Sequence, residues 1–352
     1  MAKAVPVHIL SGFLGSGKTT LLSQAIDYYK QMGKRPAVLM NELGDVNLDG
    51  MLVEDDVPMT EMLSGCICCT IRGDLGLELR DLIRDNDPDV IFVECTGAAN
   101  PIEILEGVTD ASLLTELELK SVITVVDAAQ LLSHLEHGKG KTFRLMQDQI
   151  RCATQLIVNK IDLVSPVQLP RIEHAIRELN AVAPMTATIR CQVDLSLLEK
   201  LERQQGAVSA ASAGTGASCG HTHHEHGECC NDPSHSHDHE AGEHREHRSH
   251  DHTASHHSHD HVMVYTHYFD GPIDSEQFEA LVGRLPQEVY RAKGILRFTD
   301  TASPFLFQYA YREMDFVKIA PKEQVPNVAV FIGEHFSKER LASELAALEQ
   351  KD

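Results

Sequence analysis

Up to Arg203 the chain alternates short apolar runs with longer stretches of helical spacing. The runs Val5–Ser11, Ala37–Asn41, Val57–Leu63, Val90–Glu94, Ser121–Asp127 and Gln155–Asn159 are short and rich in apolar residues. Most end in polar or turn residues, which predicts strands buried on both faces. Between or after them, Lys18–Gln31, Leu75–Arg84, Ile102–Glu106, Phe143–Ala153 and Leu169–Leu179 carry the spacing of helices. Alternation of this kind predicts an α/β fold, a mostly parallel sheet with helices on both faces. In such sheets the working loops lie at the carboxyl ends of the strands.

The pattern stops after Arg203. Gln204–Ser218 is Ala/Ser/Gly-rich, and Cys219–His261 is mostly His, Glu, Asp, Ser and Gly. Neither has the apolar content to build a core, so both are expected to be disordered unless a ligand organises them. Pattern returns at Val262. Val262–Tyr268, Ile295–Thr299 and Phe305–Tyr311 read as strands, and Asp274–Gly283 and Phe336–Glu349 as helices. The expected organisation is a sheet domain over 1–203, a linker over 204–261 and a small α+β domain over 262–352.

Charge narrows the partners. Lys plus Arg number 31 against 52 Asp plus Glu, a formal net charge of -21. That balance repels phosphate backbones and anionic lipid, so no nucleic-acid or membrane partner is expected. No apolar run approaches the roughly 18 residues of a spanning helix. Met1–Leu14 lacks a cationic leader and a small-residue cleavage site, which points to a cytoplasmic protein. The nine Cys fit that compartment, being clustered rather than spread as a disulfide framework.

The segment Gly12-Phe-Leu-Gly15-Ser16-Gly17-Lys18-Thr19-Thr20 fits G-x-x-x-x-G-K-[ST] and joins a predicted strand to a predicted helix. Its glycines let backbone N–H groups curl around a phosphate chain at a helix N-terminus. Lys18 would reach the β- and γ-phosphates, and the Thr19 hydroxyl would ligate Mg²⁺. Val90–Glu94 followed by Cys-Thr-Gly97 reads as the second strand of that site. Glu94 would hold the Mg²⁺ hydration shell, and the Gly97 N–H could sense the γ-phosphate. Asn159-Lys160-Ile161-Asp162 ends a later strand. The Asp162 carboxylate can accept from guanine N1–H and its exocyclic amine. Adenine would leave it unpaired, so GTP and GDP are expected over ATP and ADP. Asn159 could hold the base and the glycine loop, and the Lys160 stem could cover the ring.

Cys66, Cys68 and Cys69 place three thiols in four residues. That set suits Zn²⁺, Co²⁺ or Cu⁺, with redox chemistry as the competing use. Glu42, in Asn41-Glu42-Leu43-Gly44, could bind Mg²⁺, bind the second metal, or be a solvated loop acid. Fifteen of the 21 His fall between His221 and His261. They recur as H-x-H units: His221/His223, His235/His237/His239, His250/His252 and His257/His259/His261. Imidazoles so spaced can chelate Zn²⁺, Ni²⁺ or Co²⁺ weakly and at several sites.

Taken together, these residues resemble the CobW-type P-loop GTPases. The resemblance rests on G-F-L-G-S-G-K-T-T at 12–20, N-E-x-G at 41–44, G-C-I-C-C at 65–69, E-C-T-G-A-A-N-P at 94–101, N-K-I-D at 159–162 and R-x-K-G at 291–294. Leu43 stands where that family usually has Phe, a change of bulk rather than chemistry. The resemblance implies GTP hydrolysis coupled to delivery of a transition metal, zinc or cobalt, to a metalloprotein client. Two other classes compete. A metal buffer acting through the His tract would not need Lys18, Thr19, Glu94 and Asp162 intact. A P-loop kinase would need neither N-K-I-D nor the Cys loop.

Overall fold

The computed structural model describes residues 4–42, 57–63, 71–137, 140–204, 262–310 and 312–349. The Cys66–Cys69 loop and the His-rich segment lie outside the described residues.

The apolar runs of the first region assemble as parallel strands: β1 (Val5–Ser11), β2 (Pro36–Glu42), β3 (Met59–Leu63), β4 (Val90–Cys95), β5 (Leu117–Asp127), β6 (Gln155–Asn159) and β7 (Met185–Ala187). Their order is β3-β2-β4-β1-β5-β6-β7. The helices are α1 (Lys18–Gln31), α2 (Ile71–Asn86), α3 (Pro101–Ala111), α4 (Ala128–His137), α5 (Lys141–Arg151), α6 (Leu169–Leu179) and α7 (Ser196–Gln204). Strand alternation sorts the two faces. Val7, Ile9, Ile91 and Val93 join Leu75 and Leu79 of α2 and Ile104 and Val108 of α3. Leu10, Val38 and Phe92 join Leu21, Leu22, Ala25 and Tyr29 of α1. Each Val, Leu, Ile or Phe among these contributes about 1.5–3 kcal/mol when fully buried.

The second region forms an antiparallel sheet of β8 (Val262–Tyr268), β9 (Val289–Leu296), β10 (Phe305–Ala310), β11 (Glu313–Lys318) and β12 (Val328–Glu334), in the order β11-β10-β9-β12-β8. One face packs Phe278 of α8 (Ser275–Gly283) and Leu345 of α9 (Lys338–Ala347) over Phe307 and Phe331. The other face does not end in solvent. Val264, Ile295, Val328 and Val330 share one apolar cluster with Ile104, Leu105 and Val108 of α3. Both sheets lie in one compact unit of the chain.

Polar groups lock that contact. Arg291 pairs with Glu106, and Lys293 pairs with Asp110 and donates to Glu106 O at 3.1 Å. Burial lowers the Lys293 pKa, and the Asp110 carboxylate opposes that shift. The Tyr268 hydroxyl donates to Leu117 O at 2.7 Å and accepts from Leu117 N at 2.9 Å.

Several elements differ from the sequence pattern. The strand expected at Ile295–Thr299 is β9, which begins at Val289. Arg291 and Lys293 make it look polar, yet they face carboxylates on α3. The helix expected at Ile102–Glu106 runs to Ala111, because its apolar side continues through Val108 and Ala111. β5 starts earlier, at Leu117, where Leu117 and Leu119 alternate with charged residues. The short elements α4, β7, α7, β11 and β12 were not legible as separate units. For α4 the cap is a strand residue, Asp127, whose Oδ1 accepts from Gln130 N at 3.0 Å.

Candidate functional site

The carboxyl ends of β1, β4, β5, β6 and β7 meet at one edge of the parallel sheet, since β1 lies between β4 and β5. The loop after β1 turns into α1 at Gly17, which has φ 115°. A Cβ there would meet Asn159 Nδ2 at 2.5 Å and Cys191 Sγ at 2.9 Å, so only glycine fits. No side chain caps the first turn of α1, which leaves its N–H groups to a ligand. Lys18, 7% exposed, donates to Gly12 O at 3.0 Å and to Phe13 O at 3.4 Å.

Thr19 Oγ1 donates to Glu94 Oε1 at 2.9 Å, joining α1 to the end of β4. A hydroxyl beside a buried carboxylate is a hard oxygen donor set, which fits Mg²⁺. Gly97 follows on the loop to α3. A Cβ on it would meet Leu14 N at 2.4 Å, so this loop lies directly against the glycine loop. The β4–α3 turn ends at Asn100, whose side chain accepts from Ile102 N at 3.1 Å and starts α3.

From β6, Asn159 Nδ2 donates to Ser16 O at 2.8 Å, and Asn159 Oδ1 accepts from Cys191 N at 2.9 Å. Lys160, at φ 59°, donates to Gly15 O at 2.7 Å and pairs with Asp127 at 2.8 Å. Asp162 is exposed in the single turn Ile161–Leu163 that follows. The structure therefore brings Gly12, Gly15, Ser16, Gly17, Lys18, Thr19, Thr20, Glu94, Gly97, Asn159, Lys160 and Asp162 to one edge. Glu42 ends β2, in register with Leu63 of β3. Cys66, Cys68, Cys69, His221, His223, His235, His237, His239, His257, His259 and His261 lie outside the described residues.

Three further residues touch the site and were missed. Asp127 closes β5 and anchors Lys160. Its signal was an acid at the end of an apolar run. Gln149 donates from α5 to the Gly97 loop, and Cys191 donates from its thiol to Gly17 O at 3.3 Å. Neither carried a sequence signal. Burial pushes the Cys191 thiol up to about 11 and the Cys95 thiol up to about 12, so neither is a thiolate at neutral pH. Among the described residues no group of three or more His, Cys, Asp or Glu is placed to hold a metal ion.

Comparison with known proteins adds the following. Residues 6–187 match the family model CobW/HypB/UreG, nucleotide-binding domain, and residues 263–349 match the cobalamin synthesis protein cobW C-terminal domain. The zinc-regulated GTPase metalloprotein activator 1 of Dictyostelium discoideum is 32% identical over 225 residues, covering 54% of this chain and 47% of the relative. The zinc chaperone YjiA of Escherichia coli (strain K12) is 32% identical over 201 residues, covering 55% of this chain and 60% of the relative. The chain thus spans about half to three-fifths of the length of these curated relatives. A crystal structure of Zn(II)-bound YjiA GTPase from E. coli aligns over 99% of this chain and 100% of that one, at 20% identity and a TM-score of 0.42. On the family models, the chain belongs to the CobW/HypB/UreG family and carries the cobW C-terminal domain after its nucleotide-binding domain.

Proposed function

We propose that this chain binds and hydrolyses GTP at the edge described above. In the same proposal, its nucleotide state is coupled to a transition metal, zinc foremost, held at Cys66, Cys68 and Cys69 for transfer to a metalloprotein. The observation that carries the nucleotide half is the pair of bonds from Asn159 and Lys160 to Ser16 O and Gly15 O. They tie the guanine-reading segment to the phosphate loop, so base and phosphates would be read by one rigid body. The names of the zinc chaperone and zinc-regulated relatives support the metal half.

The chemistry follows from the residues. Lys18 exchanges the Gly12 and Phe13 carbonyls for phosphate oxygens and neutralises charge developing there. Thr19 and Glu94 would hold Mg²⁺, which would supply positive charge against the phosphate oxygens. Asp162 accepts from the guanine edge, and the Lys160 stem lies along the ring. The Gly97 N–H meets the γ-phosphate, so its loss on hydrolysis frees the β4–α3 loop. Glu42 ends the β2 strand, and in this reading it would serve Mg²⁺ or the thiolate-bound metal, or remain a solvated loop acid. The His tract would supply further weak sites.

Two measurements test the proposal. GTP and GDP should bind far more tightly than ATP and ADP, with Asp162→Asn relaxing the preference; equal affinities in the unmodified chain would refute it. Co²⁺ titrated into a chain lacking 221–261 should give a thiolate charge-transfer band. That band should saturate at lower Co²⁺ with a non-hydrolysable GTP analogue than with GDP, by roughly 5–150-fold. Identical affinities would leave a GTPase and an unrelated metal site. Survival of the band after all three Cys→Ser changes would put the metal elsewhere.

A further inference from the structure

We infer that Gln149 is a positioning residue for γ-phosphate recognition: from α5 it holds the Gly97 loop against the phosphate loop. The inference rests on the GTPase reading above and adds to it a residue that none of the motifs contains.

Gln149 is polar, yet only 2% exposed. Its Nε2 donates to Gly97 O at 3.2 Å and to Ala99 O at 3.5 Å. Two carbonyls can be satisfied only by the NH₂ end of the amide, so the orientation of the side chain is fixed by its partners. Its own backbone carbonyl accepts from Thr124 Oγ1 at 2.9 Å. Thr124 is the β5 residue in register with Ser11, immediately before Gly12. The α5 end that carries Gln149 is thereby anchored beside the phosphate loop.

The opposite side of the loop is equally constrained. The missing Cβ of Gly97 points at Leu14 N, 2.4 Å away. Gly97 is therefore held between the phosphate loop and the Gln149 amide. A trans peptide directs its C=O and N–H to opposite sides, so gripping Gly97 O fixes the Ala98 N–H directly and, through the shared Gly97 Cα, limits the turning of the preceding peptide that carries the Gly97 N–H. Beside Gln149 lies a cleft of about 10 Å³, lined by Phe13, Thr124, Asp127 and Met146. It has room for about one water, and so for only a small excursion of the amide. Without the two bonds, the β4–α3 loop would keep its contact with Leu14 and lose the constraint that orients its peptides. GDP, which has no γ-phosphate, would not register the change.

The test is titration of fluorescent GDP and of a non-hydrolysable GTP analogue, with Mg²⁺, into the full chain and Gln149→Met. Methionine keeps the length and bulk of the side chain and removes the donor. The analogue should bind about tenfold more weakly, the scale of one or two lost hydrogen bonds. GDP affinity should stay within about twofold, and single-turnover GTP hydrolysis should slow. Gln149→Leu removes the same donor without adding a charge and serves if the methionine variant does not fold. Parallel weakening of both nucleotides, or no weakening of either, would overturn the inference while leaving the GTPase reading intact. Failure of the unmodified chain to bind either nucleotide would overturn both.

Discussion

The nucleotide edge and the contact between α3 and the antiparallel sheet both bury lysines, but they partner them differently. At the edge, Lys18 donates to backbone carbonyls of its own loop, and Lys160 bridges Gly15 O and Asp127. At the α3 contact, Lys293 has a carboxylate from another domain and a helix carbonyl, 183 and 187 residues away in sequence. The first arrangement is replaceable, because a phosphate chain offers Lys18 better acceptors than neutral carbonyls. The second is closed, because its charges already neutralise one another, Glu106 and Lys293 from the buried side and Arg291 and Asp110 from its part-exposed rim. The edge is thus built to change on binding a ligand, whereas the α3 contact is built to transmit whatever α3 does.

That contrast can be broken at its first pole with Lys18→Ala. GTP turnover should be abolished, while the free energy of unfolding without nucleotide changes by about 1 kcal/mol, the scale of the bonds to the Gly12 and Phe13 carbonyls. A larger loss of stability, measured by denaturant titration, would mean that Lys18 is a structural residue. The second pole should answer in the opposite sense. Lys293→Met leaves the buried Glu106 O without its donor and the part-exposed Asp110 carboxylate without its partner, and should destabilise the chain by about 1–3 kcal/mol. Guanine nucleotide affinity should move far less. Loss of nucleotide binding with unchanged stability would reverse the assignment of the two regions.

Near neutral pH a smaller effect sets the antiparallel sheet apart, and it grows as pH falls. Burial holds the His267 imidazole, on β8, down to about 4, with Asp270 opposing the shift. The unfolded chain takes up that proton near pH ~6.5 and the folded chain does not, so stability is lost as pH falls from about 6.5 towards 4. The full depression corresponds to roughly 3 kcal/mol at its acid limit and about 1.7 kcal/mol midway. Glu349, whose Oε2 lies 3.6 Å from His267 Nε2, is raised by burial and works against the loss at the acid end. His267→Phe should flatten the acid limb of the stability profile measured by urea unfolding. An unchanged limb would assign it to other groups, His8 first, whose pKa burial also lowers.

The nucleotide edge was legible because its parts are contiguous. Gly12–Thr20 and Asn159–Asp162 each contain both the turn geometry and the chemistry, and each follows a run apolar enough to be recognised as a strand. β1, β6, α1 and α6 coincide with their expected spans for that reason. β9 was misplaced because its inward-facing residues are charged, and their neutralising partners lie on a helix far away in sequence. Gln149 gave no signal because a glutamine in an amphipathic helix reads as solvent-facing until the Gly97 loop is laid against it.

What the sequence determined by itself is therefore local: which segments are strands, where the chain turns through a glycine loop, and which side chains sit at those turns. Backbone sterics, helix N-terminal dipoles and side-chain period act over a few residues, so they can be read from order alone. The tertiary structure decided which ends meet. Placing β1 between β4 and β5 set Glu94 beside Thr19 and Gln149 beside Gly97, and placing β6 beside β5 brought Lys160 to Asp127. Packing the antiparallel sheet on α3 gave Arg291 and Lys293 their carboxylates. Those contacts depend on sheet order and on burying two apolar faces together, and both are properties of the whole chain rather than of any segment.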